Sequence, residues 1–399
     1  MKKPLSLYIH IPFCKHKCMY CDFLSFDNMT NSKKIQYINA LMSEIRMYKP
    51  FADRYTVKTV YIGGGTPSTL DEAMIGNVLN TIKHIFKMDR FPEITIEVNP
   101  GTIKYTDLLA YREYGINRLS IGLQSADNET LKLLGRIHSY EEFVDGFEAA
   151  RRAGFENISV DAMSGLPGQD MHTLVDTLTR ITELGPEHVS IYSLQVEKGT
   201  QLAQRPDILD MLPDENMDRN MYHMTKKVLR GAGYNRYEIS NYSKPGYESR
   251  HNIVYWTGGQ YIGLGVGAAS YFKGERFSNI KDMENYMEIC EDIREELTKD
   301  TDRVRLYESA ASILRKDVQT IYIESRMEEF MYLGLRMING ISRKEFKERF
   351  SRDVFEVYGE PINKYYEQGF MAVTDDRIML TDRGLDVSNY ILADFILDK

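Results

Sequence analysis

Residues 8–23 read YIHIPFCKHKCMYCDF. The start of this stretch continues an alternation of Leu5, Leu7, Ile9 and Ile11 that predicts a strand over Leu5–Ile11. Its end sets Cys14, Cys18 and Cys21 on the following loop, with three and then two residues between them. Thiolates are soft ligands that favour zinc or iron–sulfur clusters. A structural zinc site wants four ligands. His10 and His16 are the nearest candidates to complete one, because the fourth cysteine, Cys290, is far along the chain. Three cysteines suit a cubane cluster with one iron left open to a small ligand, and that reading leads. Cys290 reads as a buried, inert thiol.

Outward from this loop, one unit repeats: apolar strand, loop, amphipathic helix. Strands are expected at Leu5–Ile11, Thr56–Ile62, Ile94–Val98, Arg118–Gly122, Asn157–Asp161 and His188–Tyr192. Helical patterns fill the gaps at 33–48, 72–86, 106–114, 140–153 and 172–184, several ending on a glycine at Gly115, Gly154 or Gly185. The fold class is therefore α/β, with a parallel sheet and right-handed crossovers. Six units are too few for an eight-unit barrel. An open partial (βα)6 barrel is the expectation and a doubly wound sheet the second choice. The cysteines, Gly63–Pro67, and Glu97 with Asn99–Pro100 all fall at strand ends, the rim where parallel α/β folds bind ligands.

Three regions are expected: the barrel over 1–200, a mixed region over 201–300, and a C-terminal unit over 301–399. In the last, helices at 328–338, 343–350 and 361–367 precede a hairpin turning at Asp375–Asp376, with a final helix from Asp382. That order suggests a winged-helix-like α+β unit. Its third helix carries Glu360, Lys364 and Glu367, so packing or partner docking is favoured over nucleic-acid binding.

The net charge of −8 over 399 residues also argues against broad attraction to nucleic acid or anionic lipid. No run of 18 apolar residues is present, and the N-terminal segment lacks the apolar core of a signal peptide. Four cysteines, three of them clustered, are no disulfide framework; a cytoplasmic protein is expected.

The Cys-x3-Cys-x2-Cys spacing, with Tyr20 before the last cysteine, resembles the radical S-adenosylmethionine superfamily. There a 4Fe–4S cluster binds S-adenosylmethionine at its open iron, and electron transfer into the sulfonium gives methionine and a 5′-deoxyadenosyl radical. Further strings, GGGTP (63–67), IEVNP (96–100), RLSIGLQS (118–125), LLGRIHS (133–139), VDAMSGLPGQ (160–169) and EEFMYLGLRMINGIS (328–342), resemble the oxygen-independent coproporphyrinogen III oxidase family. By position, that resemblance implies that Tyr8, Gly64, Gly65, Thr66, Glu97, Gln124, Arg136 and Asp161 line the S-adenosylmethionine site. Their chemistry suits it. Glu97 and Asp161 can accept from ribose hydroxyls or an ammonium, Arg136 can pair with a carboxylate, and Gln124 both donates and accepts. Each residue alone has a duller explanation: Glu97 a turn, Arg136 the surface of a short helix, Tyr8 a core wall.

Two features set this chain apart from the oxidases it resembles. They carry another cysteine where Phe23 stands, and an extension before the first strand. His251-Asn252-Ile253-Val254-Tyr255-Trp256 instead resembles the HNxxYW motif of the HemW branch, whose members act as heme chaperones. Imidazole ligates heme iron, and Tyr255 and the single tryptophan offer flat apolar surface to a porphyrin. His251, Asn252, Tyr255 and Trp256 are the expected heme contacts, with Ala269 standing where many relatives have a histidine. The resemblance implies heme as ligand, heme-acceptor proteins as partners and a reductant such as a flavodoxin or ferredoxin. It leaves open a homodimer, and allows at most transient membrane contact. The alternatives are oxidative decarboxylation of coproporphyrinogen III to protoporphyrinogen IX and, more remotely, a zinc-bound winged-helix regulator.

Overall fold

The computed structural model describes residues 2–300 and 302–397. Strands β1 (Lys3–Ile11), β2 (Tyr55–Gly64), β3 (Met88–Val98), β4 (Arg118–Gln124), β5 (Ile158–Ser164) and β6 (His188–Ser193) lie side by side in that order. Each neighbouring pair is parallel. Helices α1 (Asn31–Met47), α2 (Glu72–Ile85), α3 (Tyr105–Glu113), α4 (Tyr140–Arg152), α5 (Met171–Leu184) and α6 (Glu215–Gly231) follow them in turn. A doubly wound sheet places its first strand in the middle and reverses strand order around it. Simple sequence order from β1 to β6 is instead the open partial barrel. Helix starts follow local chemistry: the side chains of Asp71, Ser139, Asp170 and Asp214 accept first-turn N–H groups of α2, α4, α5 and α6.

Successive side chains on a strand point to opposite faces. On one face Leu7, Ile96, Leu119, Ile121 and Val160 share a core with Leu41, Val78, Ile82, Phe143 and Leu178 of the helices. The other face is polar: Thr59 and Tyr61, then Glu93, Thr95 and Glu97, Arg118 and Ser120, Ser159 and Asp161, His188 and Ser190. The register sets Glu97 beside Ser120, and Asp161 beside Gly122 and Ser190. Parallel strands covered by helices on both faces read as continuous apolar runs. This alternation belongs to a sheet whose concave side is lined for a ligand.

Residues 201–300 are built into the same sheet. On one side β7 (Asn235–Arg236) and β8 (Asn241–Ser243) add antiparallel strands beyond β6. On the other, β9 (Tyr261–Leu264) runs parallel to β1, followed by antiparallel β10 (Ala269–Phe272), β11 (Glu275–Asn279) and β12 (Arg315–Thr320), giving twelve strands. Between these flanks a short helix, α7 (Arg250–Trp256), closes the floor of the concave side. Helices α8 (Met283–Thr298) and α9 (Arg303–Leu314) pack along α1. One core runs from Leu5 to Leu314 and a second from Met327 to Phe395. The expected division at 200 thus falls inside one core, and α9 and β12 go with the sheet, not with the C-terminal unit.

That unit has helices α10 (Ile323–Gly334), α11 (Arg343–Phe350) and α12 (Val354–Glu367). Strands β13 (Ile341–Ser342), β14 (Met371–Val373) and β15 (Arg377–Leu380) pair in the order β13-β15-β14, a winged-helix arrangement. The third helix, expected to begin at Pro361, begins at Val354. Asp353 and Glu356 form a reciprocal capping box there. Pro361 then lies in the interior, behind a kink at Tyr358 (φ −122°, ψ 19°). The unit grips the end of the floor helix, where Arg349 donates to the Thr257 carbonyl (2.9 Å) and Arg336 lies over the Trp256 ring, and it meets the β7–β8 connection through Ile338 N–H on the Tyr237 carbonyl (3.0 Å). No helix among the described residues is long and apolar enough to cross a membrane.

Glu44 of α1 ties the added strands to the barrel. Fully buried, it accepts from Gly265 N–H (2.8 Å), Asn279 Nδ2 (2.7 Å) and the Tyr286 hydroxyl (2.7 Å). Glu44→Ala removes an acceptor from three buried donors, of which Asn279 Nδ2 keeps the Gly265 carbonyl (2.8 Å), and is expected to lower stability by roughly 3 kcal/mol or more in urea unfolding. Loss of under ~1 kcal/mol would show the network to be dispensable.

Candidate active site

The concave polar face encloses a cavity of about 390 Å³. Cys14, Cys18, Cys21, Gly64, Gly65, Thr66, Glu97, Gln124, Arg136, Asp161 and Asn252 all line it. Of the residues expected at the S-adenosylmethionine site, Tyr8 alone stands behind the wall. Its hydroxyl bonds His10 Nδ1 (3.0 Å) and its ring stacks on Tyr61, which does line the cavity.

The three thiols are free and partly exposed. Among the described residues no three His, Cys, Asp or Glu side chains converge as a single metal ion requires. His10 is also spent: buried, with Nε2 on the Leu24 carbonyl (2.9 Å) and Nδ1 on Tyr8. Of the two histidines weighed as a fourth zinc ligand, His10 is thus engaged elsewhere, while His16 lines the cavity with the three cysteines. Burial pushes the Cys14 and Cys21 thiols up, so thiolates there need compensating positive charge, which a bound metal centre supplies. Donors already face two of the sulfurs: Thr66 Oγ1 toward Cys14 (3.7 Å) and Arg136 Nη1 toward Cys18 (3.5 Å). The donor set fits a cluster.

The glycine run is held by crowding. Gly64 has φ 115°, and a Cβ there would lie 2.4 Å from His10 Nδ1. A Cβ on Gly65 would meet the Phe13 carbonyl at 2.8 Å and Cys14 Sγ at 3.1 Å. The run thus lets the strand end, the cysteine loop and the cavity share one small volume.

Glu97 is fixed by the Tyr61 hydroxyl (2.9 Å) and Gly64 N–H (3.0 Å); burial pushes its carboxyl up to about 7. Asp161 accepts from Ser120 (2.8 Å) and Ser159 (3.1 Å) and is also raised by burial. Gln124 takes a left-handed φ of 71° where the β4–β5 register slips, strain that sits on the cavity wall. Arg136 is no surface residue. It donates to Asn99 Oδ1 (2.6 Å) and the Gly122 carbonyl (2.8 Å) as well as toward Cys18, and its Nε is buried without a partner.

Helix α7 is capped by Ser249, and Glu93 of β3 accepts N–H from both Arg250 (3.0 Å) and His251 (2.9 Å). Asn252 reaches the cavity. His251 is buried behind it, stacked on Tyr61, with Nδ1 on Thr59 Oγ1 (2.8 Å) and Nε2 on the Tyr255 hydroxyl (2.9 Å). Thr59 gives its own proton to Ser6 (2.7 Å). Nδ1 therefore carries the imidazole proton and Nε2 accepts from Tyr255. Burial lowers this histidine to about 3, so the ring is neutral. Trp256 faces the C-terminal unit, apart from the cavity, and Ala269 is exposed on β10.

Sequence reasoning missed Tyr61, Arg118, Ser120, Ser190 and Tyr192, which also line the cavity. The signal was present: in RLSIGLQS every second residue, Arg118, Ser120, Gly122 and Gln124, lines the cavity.

Residues 8–181 match the Radical SAM superfamily and residues 324–387 the HemN C-terminal domain. The heme chaperone HemW of Lactococcus lactis subsp. lactis (strain IL1403) is 34% identical over 400 residues, covering 100% of this chain and 99% of its own. That of Bacillus subtilis (strain 168) is 33% identical over 98% of this chain and 99% of its own. Among solved structures, coproporphyrinogen III oxidase (HemN) from Escherichia coli has a TM-score of 0.82 at 23% identity, covering 99% of this chain and 91% of that one. That likeness is one of fold.

Gly65→Ala is expected to displace the Phe13–Cys14 segment and lower iron and sulfide per chain after anaerobic reconstitution, with the far-ultraviolet dichroism unchanged. Full iron loading in that variant would show the close approach to be unimportant.

Proposed function

Because the chain belongs to the heme chaperone HemW family of radical S-adenosylmethionine proteins, we propose that it binds heme and delivers it to acceptor proteins, carrying a 4Fe–4S cluster and S-adenosylmethionine. The observation that carries this reading is the unbroken HNIVYW helix at the cavity floor, in a chain alike to HemW along its whole length. Cys14, Cys18 and Cys21 hold the cluster. When bound, the cluster would carry S-adenosylmethionine and supply its one-electron reduction. Around that ligand the chain's own groups orient it: the Gly64–Thr66 backbone meets the amino group, Arg136 pairs with the carboxylate, and Glu97 and Asp161 accept from the ribose. Gln124 completes the wall and Tyr8 braces it through Tyr61. At about 390 Å³ the cavity lies at the small end of the ~300–1,000 Å³ range of ligand sites. That size suits one nucleoside cofactor, with heme bound beside it.

For heme, His251 already holds the tautomer that ligates through Nε2. Tyr255 must release that nitrogen first, while Asn252 and Tyr255 supply polar and flat contacts; Trp256, held against Arg336 of the C-terminal unit, stands apart from them. The reductant is of flavodoxin or ferredoxin type. The assigned compartment is the cytoplasm, with at most transient membrane contact at delivery. A homodimer is tested by sedimentation with and without heme.

The second reading, coproporphyrinogen III oxidation, is compatible with the likeness to HemN, which is one of fold. Phe23, 68% exposed at the cavity where those oxidases carry a cysteine, weighs against it.

Heme titration followed by its Soret band separates the outcomes. His251→Ala should weaken binding at least ~10-fold, and Tyr255→Phe should bind as tightly as wild type or tighter. Unchanged binding in His251→Ala removes the assignment of the ligand. Protoporphyrinogen formed anaerobically from coproporphyrinogen, S-adenosylmethionine and a reductant would replace the chaperone reading with the oxidase.

A further inference from the structure

Arg118 of β4 is 1% exposed and lines the cavity, yet its Nε has no hydrogen-bond partner. Thr95, its register partner on β3, has an equally orphaned buried hydroxyl. A guanidinium removed from water and left short of partners is costly, so its retention calls for a compensating interaction. One inner layer higher stand Glu97, beside Ser120 on the neighbouring strand, and Asp161, bonded to Ser120. Neither carboxylate needs Arg118 as a hydrogen-bond donor. Tyr61 and Gly64 hold Glu97, and Ser120 and Ser159 hold Asp161. What Arg118 offers both is charge.

We propose that Arg118 is a positioning residue of the S-adenosylmethionine site, neutralising Glu97 and Asp161 from the cavity floor so that both stand as acceptors for the ligand. This rests on the cofactor reading above. Two carboxylates in one buried site cannot both ionise cheaply. Burial raises both, and Arg118 acts on both in the opposite direction. Two further carboxyls stand in this inner region: Glu93 of β3, held by the Arg250 and His251 N–H groups, and Glu238, pushed up by burial. The tyrosines and histidines facing the pair stay neutral. Burial raises Tyr8 on β1, Tyr61 on β2, Tyr192 on β6 and Tyr255 on α7. It lowers His188 on β6 and His251 on α7. Arg136, the other cavity arginine, is engaged with Asn99, Gly122 and Cys18.

The test has a ligand-free arm and a binding arm. A carboxyl raised in the folded state makes stability fall as pH climbs from its unfolded to its folded value. Removing Arg118 raises both carboxyls further. The Tm deficit of Arg118→Gln relative to wild type should therefore grow between about pH 5 and about pH 8, and Arg118→Lys should close most of it. A purely steric loss gives a deficit independent of pH. By calorimetry on cluster-loaded protein, Arg118→Gln should bind S-adenosylmethionine more weakly near neutral pH and recover at higher pH. A flat deficit, or a binding profile parallel to wild type, overturns the assignment while the cofactor reading stands. A wild type that binds no S-adenosylmethionine overturns the cofactor reading, and this assignment with it.

Discussion

A sheet with a polar concave face has to satisfy every inward donor and acceptor, and here the floor helix does most of that work. Glu93 takes the two N–H groups at the start of α7, while Thr59 and Tyr255 take the two nitrogens of His251. Tyr237 bonds His188 Nε2 (2.8 Å) and accepts from Ser249 N–H (3.2 Å), closing the side nearest β6. Fully satisfied buried networks of this kind rigidify a site, and half-satisfied ones are costly. Of the orphaned groups that remain nearby, Arg118 Nε and Arg136 Nε belong to residues that line the cavity, while Thr95 Oγ1 is fully buried beside Arg118. The cofactor chamber is the part of the inner face that the protein does not fill with itself.

The strand–helix repeat was legible because each element carries its own signal. Leu5, Leu7, Ile9 and Ile11 alternate, and Gly115, Gly154 and Gly185 end helices in left-handed backbone. The cysteines and glycines were legible for a different reason: their spacing has few structural uses. What escaped was set by tertiary contact. Strand β9, in a glycine-rich run, gains its place from pairing with β1. The expected helix opened on Pro361, whereas the Asp353–Glu356 box starts α12 at Val354, seven residues earlier. Arg136 was reached only through the family resemblance, since nothing local shows that the Cys18 loop folds over it. Arg118 was overlooked although its strand alternates plainly, since an arginine among leucines and isoleucines draws no attention until the inner face is seen to be polar.

Fold and function part company at this site. HemN and this chain share an architecture at 23% identity, and a shared architecture does not carry an activity. The discriminating residues are few and lie at opposite ends of the cavity: Phe23 beside the cysteine loop, and His251 with its neighbours on the floor. Between them the chamber wall of Glu97, Gln124, Arg136 and Asp161 is of one design, suited to holding a nucleoside cofactor whatever the final use.

Helix α7 spans only Arg250–Trp256, too short to persist in water on its own. It exists because Glu93 holds its first turn and the C-terminal unit holds its last, through Arg349 on Thr257 and Arg336 on Trp256. The two cores are therefore not separable modules. Cutting the chain after β12 would leave a barrel with an unlatched base, and its hydrogen-bonding groups would open to water. The wing lines none of the chamber, yet it is in this sense the chamber's keystone: sheet and wing are bound to melt as one piece.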